Sequence, residues 1–298
     1  MPAPAGVPPA APDRLLGPAQ VRRLLAEHDV RPSKALGQHF VADPNTVRRI
    51  VRLAGVQPSS RVVEIGAGLG SLTLALAATG ATVVAVEVDR RLVPVLSTVV
   101  GGLPNVTVVE ADVRHVDWTV LLGPAAGGRS PWQLVANLPY NVATPLVVEL
   151  LATAPQIRSL VVMVQREVGE RLAAVPGQKA YGAVSVKVAY WATAAVVGTV
   201  PPTVFVPRPA VDSALVRIDR RERPAVPASV ASYERLRTVV AAGFAQRRKM
   251  LRRSLAGVVA AEAFDASGVD PSARAEDLDV GAWGRLAGWE PGERETAS

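Results

Sequence analysis

Residues 137–140 read Asn-Leu-Pro-Tyr and follow an apolar, strand-like stretch, Gln133-Leu134-Val135-Ala136. The amide oxygen of Asn137 can accept a hydrogen bond from an exocyclic NH2. Pro139 has no backbone N–H and holds its own φ at about −65°, which stiffens the turn. Tyr140 offers an aromatic face on which a base can stack. At the carboxyl end of a buried strand, these groups make a device for holding a flat ring by its amine. The chemistry they imply is modification of that amine. The same four residues would also serve as a plain strand-to-helix turn with a buried Tyr, so the choice depends on what surrounds them.

A second candidate site precedes them. Gly66-Ala67-Gly68-Leu69-Gly70 joins a strand-like Val62-Val63-Glu64-Ile65 to a helical segment at 72–78. Glycines let the backbone turn sharply and approach a ligand closely. The third glycine follows the second by two positions, not three, so the dinucleotide fingerprint is not met and a pyrophosphate is disfavoured. Glu87 ends the next strand about twenty residues on, where a carboxylate accepts from ribose hydroxyls. Asp112, just after the third strand, could accept from an adenine amino group. Glu64 could reach a ligand's ammonium or hold the loop. Singly, each acid could be a solvated loop carboxylate. Jointly, the glycine turn, Glu87 and Asp112 point to an adenosyl cofactor. NAD and S-adenosylmethionine both carry adenosine; the glycine spacing and the amine-holding element favour S-adenosylmethionine and methyl transfer.

These motifs need strands that end side by side. Strand signals fall at 62–65, 82–88, 106–109, 134–136, 160–164, 184–189 and 214–218, and helix signals at 18–28, from Asp43-Pro44 onward, at 72–78 and from Pro145. Strands alternating with helices predict an α/β fold, a mostly parallel, doubly wound sheet. After the charged Arg220-Arg221-Glu222-Arg223-Pro224 no strand signal recurs, and residues 231–290 read as short helices. The expected organisation is a Pro/Ala leader at 1–17, a sheet domain at 18–221, a helical domain at 222–290 and a tail at 291–298.

At 298 residues and 49% hydrophobic, the chain can bury a sizeable core; with 4% aromatic residues, that core must be Val, Leu and Ala. A formal charge of +7 suits a polyanionic partner. There is no Cys, which excludes disulfides, thiolate metal sites and a cysteine nucleophile. The three His, at 28, 39 and 115, are widely separated, so no metal site is expected. No apolar run reaches the ~18 residues of a membrane span. The leader, with Pro at 2, 4, 8, 9 and 12, reads as disordered, not as a secretion signal, and a cytoplasmic location is expected. In the helical domain, residues 244–255 carry Arg247, Arg248, Lys249, Arg252 and Arg253. Phe244, Leu251 and Leu255 would share one face of a helix, and the basic residues would pair at i,i+4 on others.

With these residues in view, the chain closely resembles the ribosomal RNA adenine dimethyltransferases, the KsgA-like family, and more distantly the Erm enzymes. The resemblance runs from about Ser33 to about Trp283. It is carried by LGQHF at 36–40, VEIGAGLGSLT at 63–73, NLPYNVATPL at 137–146, FVPRPAVDS at 205–213 and FAQRRKMLRRSL at 244–255. KAYGAVSV at 179–186 favours the KsgA-like branch. The resemblance implies a Rossmann-like fold with S-adenosylmethionine as methyl donor, held by His39, Val41, Gly66, Glu87, Asp112 and Asn137, with Glu64 and Gly68 beside them. His39 departs from the family's usual Asn at that position. A neutral imidazole donates from one ring nitrogen and accepts at the other, on separate edges of the ring and not side by side as in an amide, so a weaker or pH-dependent grip is expected.

The implied reaction is in-line attack of adenine N6 on the sulfonium methyl. Asn137's oxygen and the Leu138 or Pro139 carbonyl would take the two amine hydrogens, and Tyr140 and Phe205 would cover the faces of the base. The implied substrate is a pair of adjacent adenosines in a hairpin loop near the 3′ end of 16S rRNA, within the small ribosomal subunit. Arg31, Lys34, Lys179 and the 244–255 cations would grip RNA phosphates, and a monomer is expected. Two rivals stand: an Erm-type methylase acting on 23S rRNA, and a non-catalytic ribosome-assembly factor on the same fold. A small-molecule or protein methyltransferase fits the basic C-terminal domain poorly.

Overall fold

The computed structural model of the chain describes residues 15–33, 35–125, 130–139 and 142–289. Lys34 and Tyr140 lie outside the described residues, as do the leader up to residue 14 and the tail from 290. In chain order the elements are α1 (Pro18–Glu27), β1 (Phe40–Val41), α2 (Pro44–Ala54), β2 (Arg61–Ile65), α3 (Ser71–Ala77), β3 (Thr82–Glu87), α4 (Val93–Val99), β4 (Val106–Glu110), α5 (Trp118–Leu122), β5 (Trp132–Asn137), α6 (Ala143–Thr153), β6 (Ile157–Gln165), α7 (Arg166–Ala173), α8 (Ala183–Trp191), β7 (Ala192–Val200), β8 (Phe205–Val206), β9 (Ser213–Arg220), α9 (Tyr233–Ala245), α10 (Leu251–Ser254), α11 (Glu262–Ser267) and α12 (Val280–Gly288).

Local chemistry accounts for much of this. α2 begins where Asp43 Oδ2 accepts from the Thr46 N–H at 2.9 Å and Pro44 occupies the first turn. It buries Val47, Ile50, Val51 and Ala54, which recur at helical spacing. The seven-stranded sheet has the order β4-β3-β2-β5-β6-β9-β7. β4, β3, β2, β5 and β6 run parallel, and β9 pairs antiparallel to β6. β2 and β3 are buried almost throughout, as strands covered on both faces must be. The strand order reverses between β2 and β5, which places the crevice for a ligand at their carboxyl ends. β1 and β8 form a separate antiparallel pair.

The chain divides into two units. One runs to Gly169 and takes in Ala195–Asp219; the other holds Glu170–Ala194 and the chain described from Arg220 onward. The sequence placed a boundary near 222 but kept 170–194 with the sheet. Within that segment, 184–189 was expected as a strand because Val184, Val186 and Val188 alternate. Those residues instead belong to the helix α8. Ser185 Oγ accepts from the Gly182 N–H at its start and donates to the Arg171 carbonyl. Val186 and Tyr190, four apart, enter one apolar cluster with Tyr181, Leu236 and Trp283. Packing into that core outweighs the β preference of valine, which is itself a measure of fit to a pleated surface. No described helix is long and apolar enough to cross a membrane.

Candidate active site

The glycine turn leaves β2 and the Asn-Leu-Pro turn leaves β5, two strands that pair directly. Gly66 and Gly68 have φ of +71° and +60°, a region glycine enters without cost. A Cβ on Gly66 would lie 3.9 Å from the Asn137 carbonyl oxygen and 3.8 Å from Pro139 Cδ. The two motifs therefore touch. A cavity of about 510 Å³ opens beside them, lined by Glu64, Gly66, Gly68, Glu87, Asp112, Asn137, Leu138 and Pro139 together with residues 35–41. Its size suits a nucleoside-sized ligand.

The acids differ in how their acceptor capacity is used. Glu87, 5% exposed at the end of β3, takes the Gly68 N–H on Oε2 at 2.7 Å and the Val88 and Asp89 N–H groups on Oε1, each at 2.9 Å. A carboxylate offers about four lone-pair sites, so Oε2 keeps roughly one for a ligand hydroxyl. Burial raises its pKa against those three amide bonds. Asp112 caps a short turn, and the Arg114 guanidinium holds its carboxyl down to about 2, with Nη2–Oδ2 at 2.6 Å. A ligand amine there has to share that carboxylate with Arg114.

Glu64 is 2% exposed, and Thr73 Oγ1 donates to its Oε2 at 2.6 Å. Burial pushes its pKa up to about 8, and neighbouring Glu87 adds to the rise. The unfolded chain ionises this group near pH 4.5, so between that pH and about 8 the folded state binds the extra proton. Stability therefore falls as pH rises through this window, by an amount on the order of 1 kcal/mol per unit of pH. Denaturant titrations at pH 5 and pH 8 should show Glu64→Gln gaining on the native protein at the higher pH. A gap between the two proteins that is independent of pH would contradict the assignment.

Asn137 ends β5. Its Nδ2 donates to the His39 carbonyl at 2.9 Å, so Oδ1 is the atom left to accept. The Leu138 N–H is bound by the Met163 carbonyl, and among the described residues no donor reaches the Leu138 carbonyl. The Pro139 carbonyl accepts from the Val142 and Ala143 N–H groups at the start of α6. Of the two carbonyls considered from sequence, Pro139's is thus committed to the helix and Leu138's is open. His39 Nδ1 lies 2.8 Å from the Pro207 carbonyl, which can only accept, so that nitrogen carries the proton. Val41, 4% exposed in β1, lines the cavity.

Phe205 does not reach the cavity. It is 3% exposed and packs with Val41, Ile50, Val135 and Leu215 in the apolar core. As placed, its ring presents no face to a base, unlike the arrangement expected from the sequence. Arg31 is exposed in the sheet unit. In the other unit, the expected continuous helix over 244–255 is broken: α9 stops at Ala245, Met250 bridges to Arg274, and α10 begins at Leu251. The i,i+4 pairing of cations is therefore not realised. Arg247 is spent internally, with Nε 2.7 Å from Glu276 Oε2 and Nη2 donating to the Lys179 carbonyl at 2.9 Å. Lys179, Arg248, Lys249, Arg252 and Arg253 are exposed.

Sequence reasoning missed further polar residues at the cavity, among them Gln38, Ser71 and Arg114. Ser71 Oγ is buried without a hydrogen-bond partner beside the glycine loop. Its place directly after Gly70 was the available signal. Among the described residues, no cluster of His, Cys, Asp or Glu is placed to hold a metal.

A model of the family described as ribosomal RNA adenine dimethylase matches residues 30–289. The ribosomal RNA small subunit methyltransferase A of Thermobifida fusca is 50% identical over 288 residues, covering 93% of this chain and 97% of that protein. Its counterpart in Cutibacterium acnes is 49% identical over 284 residues, covering 91% and 93%. Among solved structures, the 23S rRNA methyltransferase ErmE superposes with a TM-score of 0.64 at 27% identity, over 83% of this chain and 98% of that one. A dimethyladenosine transferase from Plasmodium falciparum, with a TM-score of 0.69 at 22% identity over 83% and 96% of the two chains, shares the fold. With most of both units inside the matched span, the chain belongs to the ribosomal RNA adenine dimethylase family.

Proposed function

We propose that this enzyme transfers methyl groups from S-adenosylmethionine to N6 of two adjacent adenosines in a hairpin loop near the 3′ end of 16S rRNA, acting as a cytoplasmic monomer on the small ribosomal subunit. The observation that carries the reading is the Asn137 amide. It is pinned by its nitrogen at the meeting point of the glycine turn and the Asn-Leu-Pro turn, with its oxygen left to accept.

The residues present fit the donor. The glycine cradle admits a close-lying ligand, the Ser71 hydroxyl lacks a partner, and Glu64 and Glu87 supply acceptors in a cavity of suitable volume. Bound there, S-adenosylmethionine would supply an electrophilic sulfonium methyl. Glu87 would receive a ribose hydroxyl on its remaining acceptor site, and Asp112 the adenine amine, shared with Arg114. Asn137 Oδ1 and the Leu138 carbonyl would take the two hydrogens of the target amine. That pulls the nitrogen toward tetrahedral geometry and aims its lone pair. Most of the acceleration is orientation, and no strong general base is required because the alkylated amine gives its proton to water. The target adenine has to leave its stack, and Tyr140 would stack on it for roughly 1–3 kcal/mol.

The test is incubation of the purified protein with tritiated S-adenosylmethionine and either small subunits that lack dimethyladenosine or, in a parallel reaction, unmethylated 23S rRNA, followed by mapping of the label. Label in N6-dimethylated adenines of 16S rRNA is expected. Label confined to 23S rRNA would favour Erm-type chemistry, and tight subunit binding without label would favour an assembly role. For the RNA surface, log affinity should fall linearly with log salt. Alanine at Arg248, Lys249, Arg252 or Arg253 should each lower that slope by about one and weaken binding uniformly across sequences. Arg247→Ala should instead lower the melting temperature, because its guanidinium is tied to Glu276. A salt-independent RNA affinity would contradict the phosphate-gripping role.

A further inference from the structure

We infer that Gln38 is a positioning residue that aims the Asn137 amide through the carbonyl of His39, with Asp89 as its anchor. The inference rests on the methyl-transfer reading above. Segment 35–41 borders the cavity and is fastened at three places. Phe40 and Val41 pair with Val206 and Phe205. The His39 ring is held at the Pro207 carbonyl. Gln38 uses both ends of its amide: Oε1 accepts from the Ser33 N–H at 2.7 Å, and Nε2 donates to Asp89 Oδ2 at 2.8 Å.

The peptide bearing the His39 carbonyl lies between Gln38 and Phe40. Its direction is set by the strand on one side and by Gln38 on the other. That carbonyl receives Asn137 Nδ2. Turning the amide over would set its oxygen against the carbonyl, two acceptors face to face. The tie therefore decides which atom of Asn137 meets a target amine.

Asp89 makes a stiff anchor. It is 7% exposed, and its carboxylate accepts from Arg91 N at 3.1 Å, Nε at 3.0 Å and Nη2 at 2.7 Å. Its own N–H donates to Glu87 Oε1. One residue thus braces both the proposed ribose acid and the strap that orients the amide. Glutamine suits the post because it donates to a carboxylate with one atom and accepts from a backbone N–H with the other. Glutamate would face Asp89 with like charge, and methionine would fill the space with neither bond.

The test uses full-length Gln38→Met and Gln38→Glu with two readouts. The chain has four asparagines, 45, 105, 137 and 141, so 15N-asparagine labelling gives a small set of side-chain amide signals. In both variants, without any ligand, the Asn137 side-chain amide should shift and lose exchange protection. In single-turnover methyl transfer at saturating donor and RNA, the rate should fall roughly tenfold to a hundredfold, as a displaced reacting geometry costs. The donor Kd should stay near that of the native protein. Gln38→Asn, with the same amide on a shorter stem, takes the same two readouts if the methionine variant does not fold. Unchanged Asn137 amide signals overturn the inference, as does a native single-turnover rate or a rate loss matched by loss of donor binding. Absence of methylation by the native protein would sink the functional reading instead, while the amide signals still test the tie.

Discussion

Asn137→Ala is expected to abolish methyl transfer while leaving donor affinity within a few-fold of the native value. The amide does two things that alanine cannot. Its oxygen is the acceptor left facing the reaction once Nδ2 is bound to the His39 carbonyl. Its nitrogen also ties β5 to the strap over the cavity, across 98 residues of sequence. Adenine N6 is a poor nucleophile, because its lone pair is delocalised into the ring. Catalysis here consists mainly of making that lone pair available and aiming it. Orientation of this kind is worth several kcal/mol, so its loss is expected to cost at least about a hundredfold in rate. Donor contacts made by the glycine turn and Glu87 should be untouched. Equilibrium binding of the donor by calorimetry and single-turnover labelling of the RNA separate the two effects. Native activity in the alanine variant would remove Asn137 from its role.

Glu87→Gln should fail differently, by losing the donor site. Three backbone N–H groups, from Gly68, Val88 and Asp89, converge on the two oxygens of this buried carboxylate. A glutamine has one oxygen. Its NH2 would face at least one of those N–H groups, donor against donor. A buried donor left unsatisfied costs about 1–3 kcal/mol, so a drop of roughly 2–3 kcal/mol in stability is expected. The Gly68 loop should loosen with it. Donor binding should weaken by on the order of a hundredfold, since the ribose contact and the loop geometry go together. Urea denaturation and donor titration on the same preparation check both halves. Tight donor binding in Glu87→Gln would show that the carboxylate serves the loop alone.

How much of this was legible in the sequence depends on how local each signal is. Strands β2 to β6 and β9 could be read because runs such as Val62–Ile65 and Val83–Val86 are apolar enough for burial on both faces. The carboxyl-end placement of Gly66, Glu87, Asp112 and Asn137 followed from their positions directly after such runs. α8 was misread because Val184, Val186 and Val188 alternate like a strand, while the surface that claims Val186 and Tyr190 comes from a helical unit downstream in the chain. The two-residue strands β1 and β8 were not read as strands at all, because each is extended only by the other.

Within the site, sequence alone determined the residue types and the chemistry they are fit for: an amide beside a proline after a strand, glycines too closely spaced for a pyrophosphate, and an acid at the right remove. Composition and motif spacing are properties of the chain itself, so they survive without a structure. What only the tertiary structure decided is the allocation of hydrogen bonds and faces. It turned Phe205 into the core, committed the Pro139 carbonyl to α6, spent Arg247 on Glu276 and placed Gln38 against Asp89. Each donor or acceptor has few places to give, and which partner takes them depends on segments that meet only when the chain folds.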